Sequence, residues 1–137
     1  MTTDYFSLSP AIVQRLASQV PELGAVAGGD LPPPADSGLK KPAAIVAYDG
    51  YNPGGRVGGK TQLYQLWRIA LVAPAPNDPS GEAARAVAGP LMVKVINALT
   101  GWKPAPGVSP LELAPEKKSG PPQAGVFHVV FQAGMTI

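Results

Sequence analysis

KTQLYQLWRIALV, Lys60 to Val72, decides the fold, because it satisfies two periodicities at once. With a period of two, Leu63, Gln65, Trp67, Ile69 and Leu71 share one face, and Tyr64, Leu66, Arg68, Ala70 and Val72 share the other. With a helical period, Leu63, Leu66, Trp67 and Ala70 also align. The Ile-Ala-Leu-Val-Ala-Pro ending and the aromatic content favour a strand, where branched and aromatic side chains pack on a pleated surface.

Other elements are placed outward from this strand. Pro42 precedes AAIVAY, Ala43 to Tyr48, a short apolar run that reads as a buried strand. Val126 to Gln132 alternates within Gly125 to Ala133, with Phe127, Val129 and Phe131 facing the core and His128, Val130 and Gln132 facing away. Leu23 to Ala27 and Leu111 to Ala114 are short extended candidates. Ser9 is expected to cap a helix with Pro10 at its first position and a stripe of Ile12, Val13, Leu16 and Val20, ended by Pro21. Asp78 is expected to cap a second, alanine-rich helix that begins at Pro79 and runs through Ala88. Gly89-Pro90 should kink or restart it.

The segment LMVKVINALTGWKP, Leu91 to Pro104, follows. Leu91, Met92, Val95, Ile96 and Leu99 share one broad helical face. Gly101 stands at the left-handed position past the helix end, Trp102 can fold back on the last turn, and Pro104 blocks continuation. These elements sum to an α+β fold: one mainly antiparallel or mixed sheet of four to five strands, with two or three helices packed on one face.

A chain of 137 residues is read as a single domain, 1–137, able to bury roughly two thirds of its unfolded surface. Seventeen prolines and sixteen glycines give about twice the usual share of these residues. They gather in expected loops at about 28–41, 49–61, 73–81 and 104–125. Loops this long in a small domain usually carry function or order on a partner. Charge is low and the net value is +2, too small for a binder that works by neutralising phosphates. The absence of cysteine excludes disulfides and thiolate metal sites. MTTDYFSLSP has no basic or apolar leader pattern, and no run approaches the ~20 apolar residues of a membrane span, so an intracellular soluble protein is expected.

Gly54 to Thr61 matches G-x-x-x-x-G-K-[ST] letter for letter. A working phosphate loop joins a strand directly to the N-terminus of a helix. Here Asp49 to Pro53 separates the loop from its strand, and the residues after Thr61 read as another strand. A nucleotide-binding module on Gly54–Thr61 is therefore the minor alternative. The favoured reading is a connection whose Tyr51, Arg56, Val57 and Lys60 contact a neighbouring subunit or a tube, with the two cations facing an acidic surface. His128, the only histidine, reads as a packed or interface residue, because no second histidine, cysteine or local triad spacing accompanies it. The carboxylates are dispersed, so no catalytic residue, metal or cofactor is assigned. Trp67 is read as a core anchor. Arg68, Trp102 and His128 stand as interface or anchor candidates.

One further feature is a resemblance. Leu91, Val95, Ala98, Leu99, Gly101, Trp102 and Pro104 form a helix end reading Leu-x-x-x-Val-x-x-Ala-Leu-x-Gly-Trp-x-Pro. Around it, in order, stand an opening helix, the Trp-bearing strand QLWRIALV and the closing strand VFHVVFQ. Across roughly residues 8 to 134 this resembles the tail terminator proteins of Mu-like, contractile-tailed bacteriophages and prophages. The resemblance implies a structural protein, not an enzyme. It would form a homohexameric ring that caps the tail tube, ends tube and sheath polymerisation and offers a head-attachment surface. Implied partners are further copies of the chain, the tail tube protein, the tail sheath protein and neck or head-completion proteins, with no nucleic-acid sequence recognition and no membrane. The implied location is the neck-proximal end of the virion tail, after assembly in the host cytoplasm. Another neck or head–tail connector protein of the same particle is the alternative within that class.

Overall fold

The structure is a computed structural model and describes residues 4–29, 41–74, 80–115 and 125–137. Its elements run in the order α1 (Leu8–Gln19), β1 (Ala25–Gly28), β2 (Ala43–Val57), β3 (Lys60–Val72), α2 (Glu82–Leu99), β4 (Glu112–Ala114) and β5 (Val126–Thr136). The strands form one five-stranded sheet in the order β1-β2-β3-β5-β4. β1 runs parallel to β2 and the other pairs are antiparallel. The α+β expectation holds, with a mixed sheet and both helices against one face.

Lys60 to Val72 is the central strand. Leu63, Trp67, Ile69 and Leu71 join the main core with Ala44 and Val46 of β2 and Val129, Phe131, Ala133 and Met135 of β5. Leu8, Ile12 and Leu16 of α1 and Leu91, Val95 and Leu99 of α2 close that core. On the opposite face Ala70, Val72 and Val126 form a smaller buried cluster with Ile45. Val130, expected on the less apolar face, is buried as well.

Three expectations are corrected, and the minor nucleotide alternative is set aside. The loop expected at 49–61 is sheet: β2 continues from Tyr48 to Val57 and pairs with β3 down to Val57↔Lys60. Its glycines serve bulges and a tight turn. Register shifts fall between Tyr48 and Tyr51 and between Pro53 and Gly55, and Gly50 and Gly55 have φ of 96° and 85°. Gly58 and Gly59, both with positive φ, make the two-residue connection that suits strand twist. β3 begins at Lys60, so no helix starts at Thr61. The strand-to-helix joint that a phosphate loop requires is missing, and the nucleotide reading of Gly54–Thr61 falls with it.

Second, Gly89-Pro90 does not restart the second helix, which is continuous from Glu82 to Leu99 with Pro90 inside. Proline forfeits one backbone bond, while burial of Ala84, Ala88, Leu91 and Val95 along one side holds the helix together. The expected Asp78 cap and Pro79 start lie outside the described residues. Helix α2 starts after left-handed Gly81, with the Ser80 hydroxyl accepting from the Glu82 amide at 3.2 Å. Third, α1 begins one residue before Ser9, with Ser7 in the flanking position and no side-chain cap. Pro10 sits within the first turn, where no intrahelical amide partner is needed.

The Gly101 expectation holds in conformation, with φ of 78°. Its amide, however, bonds to the Leu111 carbonyl at 2.8 Å, and Leu111 donates back to the Trp102 carbonyl at 2.9 Å. The helix end is thus stitched to the segment that leads into β4. No described helix is long and apolar enough to cross a membrane.

Candidate functional site

Beyond Tyr48 the strands β2 and β3 form a ribbon, Asp49 to Tyr64, whose outer side β1 does not reach, since β1 pairs with β2 only from Ala43 to Val46. Tyr51, Arg56, Val57 and Lys60, the contact candidates, all lie on this ribbon and are all exposed. Tyr51 and Val57 are large apolar groups left 57% and 61% accessible. The Arg56 guanidinium donates to the Gly59 carbonyl at 2.6 Å, so it lies across the turn. Asp49 at the base is the ribbon's single carboxylate; from Gly50 to Tyr64 there is none. That stretch holds two of the chain's eleven cations, and the remaining nine equal the nine carboxylates. Gly50 to Tyr64 therefore carries a charge of +2, and the ribbon with Asp49 at its base a net +1.

Its base is clamped from both sheet faces. On the helix side Gln65, fully buried, accepts from Trp67 Nε1 at 3.1 Å and donates through Nε2 to the Tyr5 carbonyl at 2.6 Å. The Tyr5 and Tyr48 hydroxyls share a hydrogen bond of 2.5 Å. Tyr5, Phe6, Tyr48 and Trp67 stack edge to face, with centroid separations of 5.0–5.7 Å. Burial, then the bond to Tyr5, pushes the Tyr48 phenol up to about 12. On the other face Arg68 pairs with Asp49 at 3.2 Å, with both side chains mostly buried. Asp49 lies in the first bulge, so this pair ties the bulge to the central strand.

The three interface or anchor candidates do not converge. Arg68 and His128 share the face away from the helices, on neighbouring strands. Trp102 lies on the helix side, partly buried against the core. The Arg15 guanidinium sits 5.3 Å from the Trp102 ring centroid, and its Nε donates to the Ala98 carbonyl at 3.0 Å. Arg15 thereby satisfies a carbonyl at the end of α2.

Sequence reasoning missed Tyr5, Tyr48, Asp49 and Gln65. Gln65 alone left a signal, as the one polar residue on an otherwise apolar strand face. The partnership of Tyr5 with Tyr48 spans 43 positions and has no local signature. Among the described residues no three His, Asp or Glu side chains gather in a way that could hold a metal ion.

The whole chain, residues 1–137, matches the family model described as phage tail terminator protein. Among solved structures it is similar to a chain from a cryo-EM study of an extracellular contractile injection system, the PVC sheath/tube terminator in the extended state, with a TM-score of 0.58 and 14% identity. That likeness covers 100% of this chain and 57% of the other, so the protein spans little more than half the length of that neighbour. At such identity the likeness is one of fold. No curated protein matches the chain.

Proposed function

The chain belongs to the phage tail terminator protein family, and from that premise we propose that it ends tail growth by assembling as a ring. Its role is that of a structural tail component; the ring, the surfaces and the order of assembly are our reading. Six copies close head to tail through one patch and its complement, which fixes the number of subunits without any chemical step. The ring caps the tail tube at its neck-proximal end, stops tube and sheath polymerisation, and presents its far side to neck or head-completion proteins. Assembly takes place in the host cytoplasm before head joining.

The match over residues 1–137 carries this reading. The ribbon supplies its contact element: Tyr51 and Val57 offer apolar area, while Arg56 and Lys60 offer charge to an acidic surface on the tube or on the next subunit. Arg68, through Asp49, fixes the ribbon's base, Trp102 anchors the helix end, and His128 shares the sheet face of Arg68 from the neighbouring strand. No bond is made or broken on the protein in this account. The test is polymerisation of purified tail tube protein, with tube lengths measured by electron microscopy. Adding this chain should shorten the length distribution and leave rings at tube ends. Unchanged lengths with bare ends would refute the proposal.

A further inference from the structure

Two glycines in the long strands have no conformational reason to be glycine. Gly54 in β2 and Gly134 in β5 both lack positive φ. What they share is a ring. A Cβ placed on Gly54 would lie 3.2 Å from Tyr64 Cε2 and 3.1 Å from the Gln62 carbonyl oxygen. A Cβ on Gly134 would lie 3.2 Å from Tyr64 Cε1, 3.3 Å from its Cδ1 and 3.1 Å from Ser109 Oγ. These separations are tighter than ordinary van der Waals contact. Gly134 is paired directly with Tyr64, and Gly54 forms the second bulge of β2. The Tyr64 ring, still 40% accessible, thus lies across the central strand with one edge over each neighbouring backbone. An aromatic ring laid over a strand glycine restores the packing that the missing side chain forfeits.

We propose that Tyr64 is the positioning residue of the contact ribbon: its ring bridges β2, β3 and β5 where the second bulge interrupts the ladder, and so holds the tip in its binding geometry. The inference rests on the ribbon being a contact element. Ser109 completes the device from the far side. Its hydroxyl accepts from the Gly134 amide at 2.7 Å, and its own amide donates to the Gly134 carbonyl at 2.8 Å. Gly134 is held against the ring by two bonds and kept bare by the space the ring needs. A ribbon fixed in this way loses less conformational freedom when a partner engages it.

The test compares Tyr64→Ala, Tyr64→Phe and Arg56→Glu/Lys60→Glu in the full chain, reading amide hydrogen exchange and binding to polymerised tail tube protein. In Tyr64→Ala the amides between Tyr51 and Lys60 should exchange about fivefold faster, the equivalent of one lost cross-strand aromatic contact, while those of Ile69 and Leu71 stay unchanged. Tube binding should weaken by a similar factor. Tyr64→Phe keeps the ring and should match the parent in both readouts. Unchanged ribbon exchange in Tyr64→Ala, or equal damage in Tyr64→Phe, overturns the proposal. If Arg56→Glu/Lys60→Glu weakens tube binding and Tyr64→Ala does not, the positioning role fails while the contact reading stands. If the charge-reversed variant binds like the parent, the contact reading fails, and the positioning role with it.

Discussion

β2 and β3 each run through two regions built on different rules. From Ala43 to Tyr48 and from Trp67 to Val72 they are a core sheet, closed by helices on one face and set in unbroken register. From Asp49 to Tyr64 the same strands become a ribbon with two bulges, Pro53 on its outer strand and a turn of two glycines. Apolar side chains are buried in the first region, whereas in the second Tyr51, Val57 and Tyr64 are displayed and only Leu63 returns to the core. The boundary is built, not gradual: Asp49–Arg68 closes it on one face and Tyr5–Tyr48–Gln65–Trp67 on the other. Bulges, proline and charge are also the devices by which edge strands avoid pairing with other sheets. On our proposal the ribbon meets its partner through side chains and not by adding a strand.

The contrast predicts a steep gradient of mutational cost. Trp67→Ala in the core sheet empties a site that the helices cannot refill and should cost about 4 kcal/mol in urea unfolding. A loss below 1 kcal/mol would mean that the tryptophan does not anchor the core. At the boundary, Gln65→Leu keeps the volume but strips partners from Trp67 Nε1 and the Tyr5 carbonyl, and should cost about 2 kcal/mol. The accompanying signature is faster amide exchange around Tyr5, which an ordinary packing defect deep in the sheet would not produce. In the turn, Gly59→Val places a branched residue at positive φ and should cost about 1–2 kcal/mol. Nuclear magnetic resonance shift changes from that substitution should stay within the ribbon; changes reaching Ile69 would show the two regions to be one cooperative unit.

Tyr48 gives a pH handle on the same boundary. Its folded pKa lies near 12, above the value of 10.0 for a free phenol. The neutral form is thus preferred in the folded state, so its stabilising share is complete below pH 10 and is lost as pH rises toward 12. Thermal scans from pH 9 to 12 should show a decline that Tyr48→Phe flattens. Equal slopes in both proteins would remove Tyr48 from the boundary's energetics.

Much of this division was legible in the residues. The alternation of Leu63, Trp67, Ile69 and Leu71 placed the central strand, and Gly101 marked the end of α2, because those signals are local. The ribbon was not legible as sheet. Its five glycines and Pro53 carry loop composition, and whether glycine marks a loop, a bulge or a gap for a ring depends on what lies across the strand. Gly54 and Gly134 illustrate this, since both are crowded by the Tyr64 ring on the strand between them, together with the Gln62 carbonyl at one and the Ser109 hydroxyl at the other. The continuity of α2 through Pro90 was hidden for a related reason: buried contacts outweighed a local helix breaker. Of the candidate site, Tyr51, Arg56, Val57 and Lys60 were singled out by composition as contact candidates, whereas the clamp at the base joins residues far apart in sequence.

The smallest expected effect on stability is the most informative one for function. Arg56→Glu/Lys60→Glu changes only exposed groups and should shift the urea midpoint by less than about 0.5 kcal/mol equivalent. Tail tube protein polymerised with this folded variant should grow as long as tube grown without any terminator, while the parent chain shortens it. Tubes capped equally well by the charge-reversed protein would contradict the claim that the ribbon makes the terminating contact.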